Sequence, residues 1–249
     1  MKVFGLILLF LVTLFAALVA TMPLGFLLDR TPAKSLGVNW AASGGTIFSG
    51  RIQDISAGAQ RIGDVQLRLD PMALTSGKIA YRIQWNGDPG SGTANLAVGR
   101  DSAAIENLNA VVDIERLVGL ANDVRRIGGS ASVRSGKVLF ARSSCVEASG
   151  QVATNVLARA AASYGQSGGD LSGTIACDGP MLSIPLSGSS DEGDTFDAEI
   201  RVGLAEPSTF ETNVMTINPE LSALLSLRGF DRDEDVYTYR RAVQLGGSL

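Results

Sequence analysis

The residues of this 249-residue chain best suited to chemistry are its two cysteines, Cys145 and Cys177. They lack metal-ligand spacing, so in an exported chain they read as one disulfide, and otherwise as two separate buried thiols. A disulfide closing a loop of about 32 residues stabilises a domain by roughly 3–4 kcal/mol in the chain-entropy model. The chain has no histidine at all. That removes Ser-His-Asp and Cys-His triads, histidine-based zinc sites and the side chain that normally titrates near neutral pH.

The remaining chemical motifs dissolve on inspection. Gly165-Gln166-Ser167-Gly168-Gly169 fits the letters of a nucleophile elbow, but that device needs a strand before it, a helix after it and a histidine base. Here a helix-like segment precedes, a strand-like one follows, and the base is missing, so Ser167 belongs to a loop. Gly87 to Gly92 is glycine-rich with the wrong spacing for a dinucleotide loop, and Pro89 breaks the pattern, so it reads as a hairpin turn. Asp231, Asp233 and Asp235 alternate like the start of a calcium loop, yet the sharp-turn glycine and the closing glutamate are absent. They read as a solvated acidic turn, as do Asp191, Glu192 and Asp194. Ser135-Gly136-Lys137 is a turn into a strand. No catalytic, cofactor-binding or metal-binding residue is assigned.

Nucleic acid is excluded as a partner on charge. The net charge is -4, and Arg51, Arg61, Arg68 and Arg82 are spread singly among acidic neighbours, whereas phosphate neutralisation needs a clustered basic surface. The functional potential therefore lies in surfaces: sheet edges able to accept another strand, or the apolar face of a curved sheet able to hold a lipid chain.

These surfaces must be carried by elements the sequence announces. Val3 to Leu28 is uncharged over about 26 residues, more than the roughly 20 that a helix needs to cross a bilayer. It is longer than a typical signal-peptide core and offers no small residue at position 18, so it reads as an uncleaved anchor. Pro23 interrupts it, leaving Leu24 to Leu28 as a short juxtamembrane stalk. Lys2 on the short side leans toward a cytoplasmic N-terminus, and the cysteine pair puts the large domain in an oxidising periplasm. The expected organisation is an anchor and stalk over 1–28 and a periplasmic domain over 29–249, with two subdomains meeting near 125–135.

The large domain is expected to be mainly β, a curved sheet or sandwich of many short antiparallel strands with two or three short helices. Period-two alternation puts Val65, Leu67 and Leu69 on one face, likewise Ile79, Tyr81, Ile83 and Trp85, and Ala198, Ile200 and Val202. Ser-Gly pairs at 49–50, 76–77, 91–92, 135–136, 149–150 and 172–173 read as strand punctuation. Helices are expected over Ile114 to Leu120 with Asp113 as N-cap, over Val156 to Ala162, and from Asn218 through Leu227 up to Gly229.

Gly45-Thr46-Ile47-Phe48-Ser49-Gly50-Arg51 resembles the Gly-Thr-aliphatic-Trp-x-Gly motif of the general secretion pathway protein N family, a component of bacterial type II secretion systems. The likeness continues through Ile62-Gly63-Asp64-Val65 and through Pro71, Leu74 and Gly77, similar to the family's Pro-x-x-Leu-x-x-Gly stretch. It closes with Leu227-Arg228-Gly229, Tyr237-Thr238-Tyr239 and Gly246. Phe48 stands where tryptophan is usual, and no tryptophan occurs at Gln66-Leu67. As fold elements, Gly45 and Gly50 permit tight backbone, Thr46 and Ile47 suit a strand, and a buried Phe48 contributes about 1.5–3 kcal/mol. The resemblance implies a non-enzymatic accessory subunit of a type II secretion machine, in the inner membrane and in contact with other secretion subunits. The rival reading is an envelope protein similar to the AsmA-like proteins, binding lipid on a curved sheet.

Overall fold

The structure is a computed structural model that describes residues 21–30, 34, 37–118, 122–163, 167–203 and 206–243. The span expected over residues 3–20 lies outside the described residues, as do Gly165, Gln166 and Gly246. No helix among the described residues is long and apolar enough to cross a membrane.

A short helix α1 (Leu24–Leu28) leads to two short strands, β1 (Val38–Asn39) and β2 (Ala42–Gly45). Then come β3 (Ser49–Ala57), β4 (Gln60–Leu69), α2 (Pro71–Leu74), β5 (Ile79–Gly87), β6 (Gly90–Val98) and β7 (Ser102–Asp113). A 3-10 turn (Ile114–Arg116) and α3 (Asn122–Ile127) lead to β8 (Ser130–Ala141), β9 (Ser144–Thr154) and α4 (Val156–Ser163). The chain closes with β10 (Leu171–Asp178), β11 (Met181–Ser189), β12 (Thr195–Val202), β13 (Ser208–Met215), α5 (Pro219–Leu227), β14 (Asp231–Asp233) and β15 (Val236–Val243).

The strands form one 15-stranded antiparallel sheet in which β3 to β12 each pair with the next in sequence, and β13 pairs with β15, which β14 flanks. The sandwich alternative is thereby set aside. Pairing β7 with β8 along their length carries the sheet across residues 125–135.

Cross-strand partners share a face, so the registers identify a single apolar side. Ile52 opposes Val65, which opposes Trp85; Leu67 opposes Ile83; Leu69 opposes Tyr81, which opposes Leu96. Further along, Val133 opposes Val152, Leu186 opposes Ala198, and Val214 opposes both Phe196 and Tyr237. The other side carries Arg51, Gln66, Arg82, Lys137, Glu147, Glu199 and Glu211. Val138, Val152, Ile175, Leu186 and Ala198, from five successive strands, form one buried cluster. With a single sheet and helices only at its margins, such burial requires the sheet to bend toward its apolar side. Left-handed residues at Asp54 and Asn107 sit at breaks in register that produce this bending.

The meander gives the sheet two unlike ends. One carries the 3-10 turn, α3, α4 and α5. There Leu225 and Leu221 of α5 pack on Val214 and Tyr237. The other end holds α2 and the hairpins at 99–101, 142–143 and 179–180, and it receives the N-terminal segment.

Several expectations change in detail. The helix expected from Ile114 is a 3-10 turn followed by a separate α3, and the Asp113 side chain caps nothing. Asn218 does cap α5, accepting from the N–H groups of Glu220 and Leu221. Ser91-Gly92, Ser135-Gly136, Ser149-Gly150 and Ser172-Gly173 lie inside strands and are not turns. A Cβ on Gly150 would lie 2.7 Å from the Arg134 carbonyl oxygen and 3.0 Å from Ile175 Cδ1, so the need is for space. Asp194 is buried and its backbone N–H is held by Ser190 Oγ (3.1 Å), so it is not a solvated turn residue.

Candidate functional site

The two stretches that carry the family resemblance come together at one end of the sheet, around the place where the N-terminal segment enters. Gly45 to Gly50 is a turn between β2 and β3. Gly45 has φ +84°, a conformation that glycine adopts without steric penalty. The Thr46 N–H donates to the Ser49 carbonyl (2.9 Å) and the Ser49 N–H to Thr46 Oγ1 (3.4 Å), which closes the turn.

This turn clasps the incoming chain. Pro23 pairs with Thr46 in a β-bridge, and the Ile47 N–H donates to the Met22 carbonyl at 3.2 Å. Leu24 is only 3% exposed. It rests on Gly50, where a Cβ would lie 2.5 Å from Leu24 Cδ2, so the absent side chain is the seat for the leucine. Behind the turn, the Leu69 N–H donates to the Phe48 carbonyl (2.9 Å) and the Tyr81 hydroxyl to the Ile47 carbonyl (3.1 Å). Partial burial pushes the Tyr81 phenol above its ordinary pKa. Phe48 is half-buried, so it contributes less than a core phenylalanine; Leu24 is the deeper anchor.

Pro71, Leu74 and Gly77 build the neighbouring device. Asp70 Oδ1 accepts from the Met72 N–H (3.0 Å), Pro71 opens α2, and Gly77 at φ +71° ends the turn with its N–H on the Leu74 carbonyl (3.1 Å). Proline at the first helical position and a left-handed glycine after the last one are the residues such a turn demands. Leu74 and Met72 themselves face solvent.

Beside the clasp, on the polar side, is a shallow hollow of about 600 Å³ lined by Gly45, Gly50, Arg51, Arg68, Arg82 and Gln84 among others. Arg51 is committed to Asp64 (2.5 Å), and that ion pair holds the Asp64 carboxyl below its ordinary pKa, helped by the Asp54 N–H. Arg68 and Arg82 stand directly opposite each other across β4 and β5 and form no ion pair among the described residues. A second hollow, of about 560 Å³, lies over β10 to β13 and is acidic, with Asp197, Glu199 and Glu211.

Cys145 and Cys177 form a disulfide with Cα atoms 5.6 Å apart. The β9–β10 ladder ends at Ile175 opposite Gly150, so the bridge ties the strand ends beyond their last pairing. Ser167 lies in the loop between α4 and β10, and Asp88 turns between β5 and β6, where it pairs with Arg116. Asp231 and Asp233 are exposed on β14, and Asp235 follows in its hairpin. None of these joins the clasp. No group of residues suited to holding a metal ion occurs among the described residues.

Sequence reasoning found the motif residues and missed their partner, Leu24, because the clasp joins segments whose contact no periodicity reports. It also missed the Arg68–Arg82 pair, which needs the β4–β5 register. That register was readable only as two separate alternations.

No curated protein and no solved structure matches the chain. The family model for type II secretion system (T2SS), protein N, matches residues 36–240, from just before β1 to within β15. With the clasp and the capped turn built from the residues that carry the resemblance, and a match over most of its length, the chain belongs to the type II secretion system protein N family.

Proposed function

We propose that the chain is a non-enzymatic accessory subunit of a type II secretion machine. It is anchored in the inner membrane through the uncharged run that begins at Val3, with Leu24 to Leu28 as its stalk, its sheet in the periplasm and in contact with other secretion subunits. Family membership supplies the secretion role. The observation that carries the rest is the clasp: Leu24, near the end of the uncharged run, is seated on Gly50, which holds the end of that run against the sheet. The Cys145–Cys177 bridge supports an oxidising compartment. The absence of histidine supports a binding role over catalysis.

One contact surface follows from the sheet's edges. β1, β2 and β14 are short and cover parts of the strands beside them, the usual protection of an edge. From Tyr239 onward the outer side of β15 has no strand beside it among the described residues, and Arg240 and Arg241 flank it. Such an edge accepts a partner strand main chain to main chain. The AsmA-like reading, lipid held on a curved sheet, has one observation in its favour, the unbroken apolar side from β3 to β15.

Purification of the full chain from mild detergent separates the two. Co-purifying secretion subunits are the expected result. Stoichiometric phospholipid without them would replace the secretion-subunit role with lipid handling.

A further inference from the structure

We propose that the end of the sheet carrying the clasp is a bilayer-contacting surface, with an apolar rim that enters the lipid interface and the Arg68–Arg82 pair that meets lipid phosphates. This rests on the anchor reading above and adds a second, independent contact with the same membrane.

Large apolar side chains are exposed where the meander turns at this end. Met72 is 75% exposed, Ile79 52%, Leu74 45% and Val98 44%. They are contiguous by register: Ile79 and Val98 are cross-strand partners at the ends of β5 and β6, and α2 is the connection that leads into β5. Phe26 of α1 is also exposed, with the Arg30 guanidinium 4.3 Å from its ring centre. Lys34 stands 4.9 Å from the Trp40 ring. Aromatic residues with adjacent cations are the composition of a membrane interface.

The occupant follows from where the uncharged run meets the structure. Leu24, which is fixed to Gly50 at the start of β3, lies only four positions beyond Ala20. Four residues span at most about 14 Å. The headgroup layer on one side of a bilayer is about 5–8 Å deep. An anchor ending near Ala20 therefore keeps this end of the sheet within about 14 Å of the hydrocarbon, close enough for exposed leucine, isoleucine and valine to reach the headgroup layer and gain burial.

Charge agrees. Arg68 lies at the penultimate position of β4, and Arg82 lies three residues into β5, about 10 Å from its start. Like charges directly opposite in a ladder repel, so an anion between them is stabilising. Guanidinium groups bind phosphate in bidentate fashion. The opposite end of the sheet, with Ile217 87% exposed, lies about 30 Å away along the strands.

The test uses the full chain in vesicles of phosphatidylcholine, with and without phosphatidylglycerol, since the native cysteines are occupied by their bridge. Environment-sensitive fluorophores on single introduced cysteines, M72C, V98C and I217C, are read against brominated lipid. The probes at 72 and 98 are expected to shift to the blue and lose most of their emission, and the probe at 217 to change little. Phosphatidylglycerol should strengthen the quenching at 72 and 98. The paired substitution Arg68→Gln with Arg82→Gln should remove that increment while leaving circular dichroism unchanged. Probes at 72 and 98 as wet as the one at 217 overturn the proposal, as does shielding that appears only with another secretion subunit or a second copy. An alkaline carbonate wash then reads the anchor separately: quenched chain that washes off keeps the rim and sinks the anchor.

Discussion

Replacing Gly50 with alanine should open the clasp without unfolding the sheet. The added carbon would lie 2.5 Å from Leu24 Cδ2, 3.1 Å from the Thr46 carbonyl oxygen and 3.3 Å from that of Gly44. The two oxygens need give only a few tenths of an ångström. Leu24 must leave its seat, however, and a leucine moved from burial to solvent loses about 1.5–3 kcal/mol. Partial repacking lowers this, so docking of residues 22–24 should weaken by about 1–3 kcal/mol. At 1.4 kcal/mol per decade, hydrogen exchange of the Ile47 amide, which donates to the Met22 carbonyl, should accelerate by about 5- to 150-fold. Amides in β8 to β11, far from the clasp, should keep their rates. The decisive control is Leu24→Ala, which opens the clasp by itself and leaves space for a methyl group at position 50. In that background Gly50→Ala should add less than about 0.5 kcal/mol, a strong coupling between two contacting sites. Unchanged exchange in Gly50→Ala, or an equal effect with and without Leu24, would refute the seat.

Three further outcomes follow from other parts of the molecule. Removing the bridge by Cys145→Ala with Cys177→Ala should lower the unfolding free energy by about 3–4 kcal/mol in urea titrations, the reducing agent then having no further effect. Asp64 beside Arg51 and Glu199 beside Arg201 both have carboxyl pKa values below their ordinary ones. The native state therefore binds fewer protons than the unfolded chain, and this stabilisation is complete above about pH 5 and fades as pH falls through the folded values. Asp64→Asn with Glu199→Gln should flatten the acid limb of the urea midpoint and leave its slope near pH 7 unchanged. Gly92→Ala would place a carbon 2.5 Å from Trp85 Cη2 and 2.6 Å from the Asn109 carbonyl oxygen. The expected result is a loss of about 1–3 kcal/mol and a red shift of tryptophan emission as the ring is pushed outward.

What could be read in advance was whatever repeats along one strand. Alternation at Val65, Leu67 and Leu69, and at Ile79 to Trp85, gave strands and their buried faces, because the period of two is a property of a single chain segment. The bridge was legible as one of two options, since two cysteines have only one partner each. Fold class was narrowed to sandwich or curved sheet and no further: the choice depends on whether successive strands stay beside one another, which is a matter of register between segments. The Ser-Gly pairs misled for a related reason. Glycine serves turns through positive φ, but at Gly150 it serves the crowded apolar side by leaving room for Ile175. From sequence the two uses look alike.

The motif shows the same limit from the other side. Gly45, Gly50, Pro71 and Gly77 were recognisable as a pattern, and each has a local reason that elementary stereochemistry supplies. Their joint meaning is positional. Every connection from β3 to β7 alternates between the two ends of the sheet, so a turn before β3 and a turn before β5 fall at the same end. At that end one turn holds Leu24 and the other projects Met72 and Leu74 into solvent. A sheet of one layer has only its curved apolar side for an interior, and its two ends are what else it has to differentiate. Both ends leave apolar side chains exposed, Ile217, Leu227 and Met215 at the far one and Met72, Ile79 and Leu74 at the near one, but only the near end receives the uncharged run. Under the proposal above, the bilayer that holds the anchor covers Met72 and Leu74 and completes this end of the structure, whereas Ile217 and Leu227 at the other end stay in water.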